Sequence, residues 1–520
     1  MRANGLPRRA WLVYDVLLAL LLTSVAAVRL YKLGAWSFWV DEMFTLRDSL
    51  DKSSLFHHLT YPLSYILIGA AMKSGGVNEW TARIVPCVVG IATPAAVYLL
   101  ARREFGRGPA LGAAALLAVS PWHLYWSQMA RFYTMTMLFS AAAALLFFSG
   151  YERKSPWRMG AAAFFMVLAA LSHYSAFLVM GALIVYTIAD QILKWPEPEL
   201  RGVLPRSRKK ALLSFYLPFG IAGIAIAPKA LLILRMYSNP SATTGTSFDS
   251  PLKGAVYVVF STFYRVEFAV AAAAILSAIF LLRRRDRRGL FLTALIAVPL
   301  AALAVAGVFS RGENRYALVT LPAFAVLAGF GMTIAYDALR GRSRALAAVA
   351  PIVLLLPLVQ HSAMYFSSLS GGERWNYRAA AELIRQDDLP GDLVLTPMSL
   401  PMGYYLKDSG LTVRTLEPRK LDLFAKRHKR IWFVVEDSTR GRSASLRAKD
   451  WLRRRCDLVA HFPASSPMAD YGVSVYLLEW RQSNGRTGQT CPTGRTITNN
   501  RQPSTINRAN LMRPAGSAGR

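Results

Sequence analysis

Apolar residues gather along most of this chain in runs of roughly 17–25 positions, the length that crosses a bilayer as a helix. The first run covers about 11–29, and others follow near 84–101, 110–126, 134–150, 160–172, 174–193, 211–232, 266–282, 290–309, 316–336 and 345–362. Between the first two lies a longer polar stretch, 30–80. It contains an apolar segment, Leu63–Met72, that is too short to span and reads as an interfacial or re-entrant helix. The pattern predicts a polytopic α-helical membrane protein of about 11 spans, occupying 1–365.

The periodicity changes after residue 372. Glu373–Gln386 has helical spacing, whereas Asp392–Thr396, Ile431–Val435 and Val473–Leu478 read as strands, with a helix near Ala448–Arg455 between strand candidates. This predicts a small α/β domain over 372–480. Residues 481–520 are polar and basic, contain no acidic residue, and read as a disordered tail.

Composition agrees with the hydropathy pattern. Of 520 residues, 54% are hydrophobic and 18% charged, fewer charges than a soluble chain of this size carries. The net charge of +31 would suit nucleic acid if the basic residues formed one face. They sit instead in short turns: Arg102, Arg103 and Arg107; Arg153, Lys154 and Arg158; Lys194 to Lys210; Arg283 to Arg288; Arg340 to Arg344. Lys and Arg mark cytoplasmic loops, so the N-terminus is expected inside, the 372–480 domain outside, and nucleic acid is excluded as a partner. Some of these turns would also meet anionic lipid headgroups. Arg8 and Arg9 before a long apolar run predict an uncleaved first span. Cys87, Cys456 and Cys491 have no metal-ligand spacing, and nothing in the sequence pairs Cys456 with Cys491.

Few polar residues occupy the outer span ends, and they form a coherent chemical set. Asp41 and Glu42 follow the aromatic stretch Trp36-Ser37-Phe38-Trp39. The second outer turn holds Trp122, His123, Trp126, Gln128, Arg131 and Tyr133, the third His173 and Tyr174, and a later one Arg311, Arg315 and Tyr316. A carboxylate can take a proton from a hydroxyl, and arginines can hold a departing phosphate. The aromatic residues also suit an interfacial belt.

The Asp41-Glu42 pair behind an aromatic loop, the stretch Pro121-x-x-x-Tyr125-x-Ser127-Gln128-x-x-Arg131-x-Tyr133, and Arg315-Tyr316 followed by Leu321-Pro322 together resemble the GT-C glycosyltransferases. Within them the similarity is to family 39, the protein O-mannosyltransferase and aminoarabinose transferase relatives, over roughly 8–365. The resemblance implies GT-C architecture, a polyprenyl-phosphate-linked sugar donor, and inverting transfer at the outer leaflet. The acceptor would be a lipid, a glycan or a protein. It puts Asp41 on the family's catalytic base, with Glu42 beside it. Gln128, Arg131, Tyr133, His173, Arg315 and Tyr316 are then the expected donor phosphate- and sugar-binding residues. Two departures stand out. Thr60-Tyr61-Pro62-Leu63-Ser64-Tyr65 replaces a His-Pro-Pro-Leu-Tyr-Tyr pattern, with His57 and His58 just upstream. Met129 stands where an acid commonly follows the Ser-Gln pair, so a divalent metal is disfavoured and no metal ligand or other cofactor is assigned. The Arg-rich bias and lack of organelle signals point to a bacterial inner membrane. The competing reading is a lipid or sugar transporter, or flippase, without transferase activity. Against it, the spans lack buried acids and show no paired broken helices.

Overall fold

The computed structural model of the chain describes residues 8–51, 62–193, 217–224, 226–228, 231, 251–305, 314–367, 371–437, 444–466 and 469–479. The chain divides into two compact units, Met1–Arg374 and Trp375–Arg520.

The first unit is helical. Its elements are α1 (Arg8–Leu30), α2 (Val40–Leu50), α3 (Pro62–Gly75), α4 (Glu79–Ala101), α5 (Arg107–Val119), α6 (Pro121–Ser127), α7 (Tyr133–Glu152), α8 (Pro156–Ser172) and α9 (Ala176–Leu193). After a stretch outside the described residues come α10 (Pro251–Val266), α11 (Phe268–Arg283), α12 (Arg287–Val305), a 3₁₀ segment (Asn314–Thr320), α13 (Leu321–Arg340) and α14 (Arg344–Tyr365).

The expectation of about eleven spans needs correcting. Among the described residues six helical stretches are long and apolar enough to cross a membrane: Glu79–Ala101, Tyr133–Glu152, Ala176–Leu193, Arg287–Val305, Arg315–Arg340 and Arg344–Tyr365. A seventh arises if Leu252–Val266 and Phe268–Arg283, bent by 102° at their junction, count as one span. The apolar parts of three other expected spans, Val16–Leu30, Arg107–Val119 and Pro156–Ser172, are shorter. At 1.5 Å per residue the 13 residues of α5 rise only about 20 Å, against a hydrocarbon thickness of about 30 Å. The run read as one span over 110–126 is broken. Ser120 caps α6 by accepting the His123 N–H (3.3 Å), and Pro121 occupies its first turn.

Local chemistry sets the other helix starts in the same way. Asn78 opens α4 with a capping box, its side chain accepting the Thr81 N–H (3.0 Å) while the Thr81 hydroxyl accepts the Asn78 N–H (3.3 Å). Packing then depends on small residues. A Cβ on Gly329 of α13 would lie 2.2 Å from the Pro109 carbonyl oxygen of α5, and one on Gly112 would lie 3.0 Å from Gly329. Only glycine lets these two backbones approach so closely. Beyond the far end of α4, Glu104 accepts from Arg153 (2.6 Å) and Ser149 (2.7 Å), tying that end to α7.

The second unit is a five-stranded sheet with helices, the small α/β unit the periodicity predicts. Strands β1 (Leu393–Thr396), β2 (Thr412–Thr415), β3 (Arg430–Glu436), β4 (Asp457–Phe462) and β5 (Val473–Glu479) lie in the order β2-β1-β3-β5-β4. β1 runs parallel to β2 and β3, and β5 antiparallel to β3 and β4. Every residue of β3 is buried, as a central strand covered on both faces requires. The first helix begins at Tyr377 rather than Glu373 because Asn376 caps it through the Ala379 N–H (3.1 Å). Strands β2 and β4 carry exposed, polar positions and give no apolar signal in the sequence. Cys456 is a buried free thiol; Cys491 and the expected tail at 481–520 lie outside the described residues.

Candidate active site

α2 presents Asp41 and Glu42 in its first turn, where acidic side chains meet the positive end of the helix dipole. The two carboxylates then take different partners. Glu42 is fully buried. Arg83, from the second turn of α4, grips it with two bonds of 2.8 Å, and the Ala130 N–H donates a third, also 2.8 Å. Arg83 spends its remaining donors on the carbonyls of Leu33 (3.1 Å), Trp36 (2.8 Å) and Ser37 (3.0 Å). Burial alone would push the Glu42 carboxyl up, but Arg83 outweighs it and holds the group below the usual glutamate range.

Asp41 faces the arginines. Its Oδ2 is paired with Arg315 Nη1 and lies 3.9 Å from Arg131 Nη2. Arg131 also donates to the Asp41 carbonyl and to the Thr45 hydroxyl one turn on, each at 2.8 Å. Desolvation opposes the Arg131 charge, yet Asp41 and then Tyr133 raise its affinity for the proton above the ordinary arginine value. Asp41, its two guanidinium partners and Thr45 thus come from three segments separated by most of the first unit.

Aromatic rings underlie this polar layer. The Arg131 guanidinium lies 4.4 Å from the Phe132 ring centroid, and that of Arg315 lies 5.8 Å from both Tyr133 and Tyr316. His173 stacks between Phe132 (4.5 Å) and Tyr316 (5.2 Å) and closes on Tyr133 (5.2 Å). Its Nδ1 meets the Ser175 hydroxyl at 2.9 Å, which fixes the ring. Gln128 stands apart from the carboxylate. Its amide donates to the carbonyls of Arg29 (2.9 Å) and Tyr31 (2.7 Å), and its Oε1 accepts from Trp36 (3.2 Å) and Tyr365 (3.0 Å).

The structure therefore gathers Asp41, Arg131 and Arg315, with Tyr133, His173 and Tyr316 stacked beside them. Glu42 and Gln128 are saturated by protein partners. His57, His58, Thr60, Tyr61 and Arg311 lie outside the described residues. Sequence reasoning missed Arg83, Thr45 and Arg374. Arg83 sits in the first turns of an apolar helix, and a lone buried arginine there is itself a signal, because its burial demands a carboxylate partner. Among the described residues no group of three or more His, Cys, Asp or Glu side chains converges on a point that could hold a metal.

Comparison with known proteins extends these observations. Residues 60–204 match the family described as dolichyl-phosphate-mannose-protein mannosyltransferase; the match includes Gln128, Arg131, Tyr133 and His173 but not Asp41 or Arg315. No curated protein matches the sequence. Among solved structures, ArnT from Cupriavidus metallidurans in the apo state superposes with a TM-score of 0.56 at 14% identity, covering 91% of this chain and 99% of that one. The same protein bound to undecaprenyl phosphate gives 0.54 at 15% identity, over 92% of this chain and 100% of that one. The Archaeoglobus fulgidus oligosaccharyltransferase in complex with Zn and sulfate gives 0.53 at 14%, over 80% of this chain and 68% of that one. At such identities the likeness is one of fold. The chain is a multi-pass membrane protein of GT-C fold, and its resemblance within that fold is to family 39.

Proposed function

We propose that the protein is an inverting glycosyltransferase that moves a sugar from a polyprenyl-phosphate carrier to an envelope lipid, glycan or protein. The reaction would occur at the outer face of a bacterial inner membrane, with the N-terminus cytoplasmic and the second unit extracytoplasmic. The observation that carries this reading is the meeting of one carboxylate, Asp41, with two guanidinium groups, Arg131 and Arg315, from distant segments. The resemblance of residues 60–204 to the mannosyltransferase family supports it, as does the likeness in fold to a protein that binds undecaprenyl phosphate.

In this reading the Asp41 carboxylate takes the proton of an acceptor hydroxyl as its oxygen attacks the anomeric carbon. The bond from that carbon to the phosphate oxygen breaks, and the departing polyprenyl phosphate keeps the electron pair. One displacement inverts the anomeric centre. Arg131 and Arg315 hold the charge that grows on the phosphate. Arg131 Nε is buried with no acceptor among the described residues, which leaves a charged donor for a phosphate oxygen. Two guanidiniums, Arg131 and Arg315, face the single carboxylate of Asp41, a surplus of positive charge suited to a phosphate. Glu42 serves as a positioning residue through Arg83 rather than as a second base. Phe132, Tyr133 and Tyr316 flank the guanidinium groups, and His173 packs against those rings.

The carrier's hydrocarbon tail needs an apolar path. A small apolar pocket lies between α7, α9, α12 and α13, lined by Ala144, Val179, Leu292, Val319, Pro322 and Val326. Val319 and Pro322 lie one to two turns beyond Arg315, which puts an apolar surface next to the proposed phosphate site.

The test is mass spectrometry of envelope glycolipids and polysaccharides from a deletion strain complemented with wild-type or Asp41→Asn protein. A sugar unit restored by the wild type alone, at equal membrane insertion, is the expected result. Restoration by Asp41→Asn would remove Asp41 as the base.

A further inference from the structure

Four consecutive residues, Gln128 to Arg131, are each tied to a distant part of the chain. Arg131 reaches Asp41 and Thr45 on α2. The Ala130 N–H donates to Glu42. Met129 receives the Trp39 indole N–H on its sulfur at 3.1 Å. The Gln128 carbonyl accepts from Arg374 Nη2 at 2.8 Å. The first three anchors come from the stretch 39–45, whereas the last comes from 246 residues further along the chain.

Arg374 is itself held firmly. It is 2% exposed, its Nη1 donates to the Tyr365 hydroxyl (3.0 Å), and its guanidinium lies 5.5 Å from the Tyr125 ring centroid. The Tyr365 hydroxyl in turn donates to Gln128 Oε1. The residues leading to Arg374 form a strap against the same surface. Gly372 has φ +66°, and a Cβ there would lie 2.7 Å from the Trp36 ring, so only glycine fits the turn and the contact together. Glu373 pairs with Arg265 of α10 at 3.1 Å.

We infer that Arg374 is a positioning residue: through the Gln128 carbonyl it holds the 128–131 segment in register, and so sets where Arg131 stands beside Asp41. The inference rests on the reading of Arg131 as a ligand of the carrier's phosphate. A charged donor on a buried carbonyl is stronger than a neutral one, and its loss leaves that carbonyl unsatisfied. The register of the segment would then rest on the Gln128 side chain and on the 39–45 anchors of residues 129–131 alone. Arg374 touches no reacting atom in this scheme. Its effect reaches the phosphate only through Arg131.

The experiment uses the full-length protein in detergent and undecaprenyl phosphate as the probe, with Kd measured by thermophoresis and folding followed by thermal unfolding. Arg131→Ala should weaken binding. Arg374→Ala should weaken it by about tenfold, Arg374→Lys by less, and the double variant no further than Arg131→Ala alone, because both changes remove one interaction. Wild-type affinity in a folded Arg374→Ala protein, with Arg131→Ala still weak, overturns the inference and leaves the site reading intact. Losses that multiply in the double variant also overturn it, since Arg374 would then act independently of Arg131. Wild-type affinity in Arg131→Ala overturns both. If Arg374→Ala does not fold, Arg374→Gln, which keeps side-chain bulk but removes the charge and the fork that reaches the Gln128 carbonyl, takes its place in the same comparison. A loss of about threefold then supports the inference, and an unchanged Kd overturns it.

Discussion

Arg315 and Asp41 are 274 residues apart in the chain and meet side chain to side chain. The pair links the 3₁₀ segment before α13 to the first turn of α2, and Arg131 completes it from a third segment. A base and a phosphate site must lie this close if proton removal and phosphate departure belong to one displacement.

Arg315 should therefore matter more to transfer than to folding. It is partly exposed, and its partner Asp41 keeps Arg131 when it is removed. Arg315→Ala is expected to lower sugar transfer by about 10²-fold or more, with unfolding temperature little changed. Arg315→Lys should recover part of the loss, because a point charge replaces a planar fork. Transfer measured in isolated membranes, beside a thermal melt of each variant, checks both statements.

Arg83 and Glu42 should behave in the opposite way. Both side chains are fully buried, so removing one partner strands a charge in a dry site. Arg83→Ala is expected to cost about 3–5 kcal/mol of stability and to lower the amount of folded protein before any kinetic effect is seen. Fluorescence-detected size exclusion of detergent extracts reads this directly. An Arg83→Ala protein as abundant and monodisperse as the wild type would remove the structural role.

The close crossing of α5 and α13 gives a packing prediction. Gly329→Val places atoms where the Pro109 carbonyl already lies, and the helices must separate. A loss of about 1–3 kcal/mol is expected from overpacking alone, visible as a lower unfolding temperature. The same substitution at Gly160, where a Cβ would meet nothing within 4 Å, serves as the control.

The second unit carries a pH dependence of its own. Glu436, at the end of β3, is buried against the Tyr377 hydroxyl, and burial raises its carboxyl above the usual glutamate range despite that hydrogen bond. The folded state thus binds the proton more tightly than the unfolded state. The stabilisation is full below the unfolded value, about 4.3, and is lost as pH rises toward the raised folded value. Glu436→Gln, which cannot ionise, should remove that slope. Hydrogen exchange of the β3 and β5 amides in the intact protein, compared at about pH 5 and about pH 7.5, should show faster opening at the higher pH in wild type only. Equal slopes in both proteins would exclude Glu436 as the source.

Much of this molecule is readable from local pattern. Hydropathy marks the long helices because a bilayer imposes a length on each run separately, and short apolar, β-branched runs mark β3 and β5 because those strands are buried along most of their length. Asp41, Arg131 and Arg315 stand out for a related reason: charges at the rim of an apolar segment are costly unless they have work there. Other features are set only by the tertiary structure, because they depend on residues far apart in the chain. Among the described residues six or seven stretches can cross a membrane rather than eleven, because apolar runs are shortened or broken, as at Ser120 and Pro121, and the run expected over 211–232 lies only partly within those residues. The sequence shows Asp41 and Glu42 as an undivided pair; Arg83, Arg131 and Arg315 give them separate roles. Arg374 carries no signal of its own in a polar stretch after the last long helix. It becomes part of the site only because folding brings its guanidinium to the Gln128 carbonyl, a long-range hydrogen bond that no local propensity encodes.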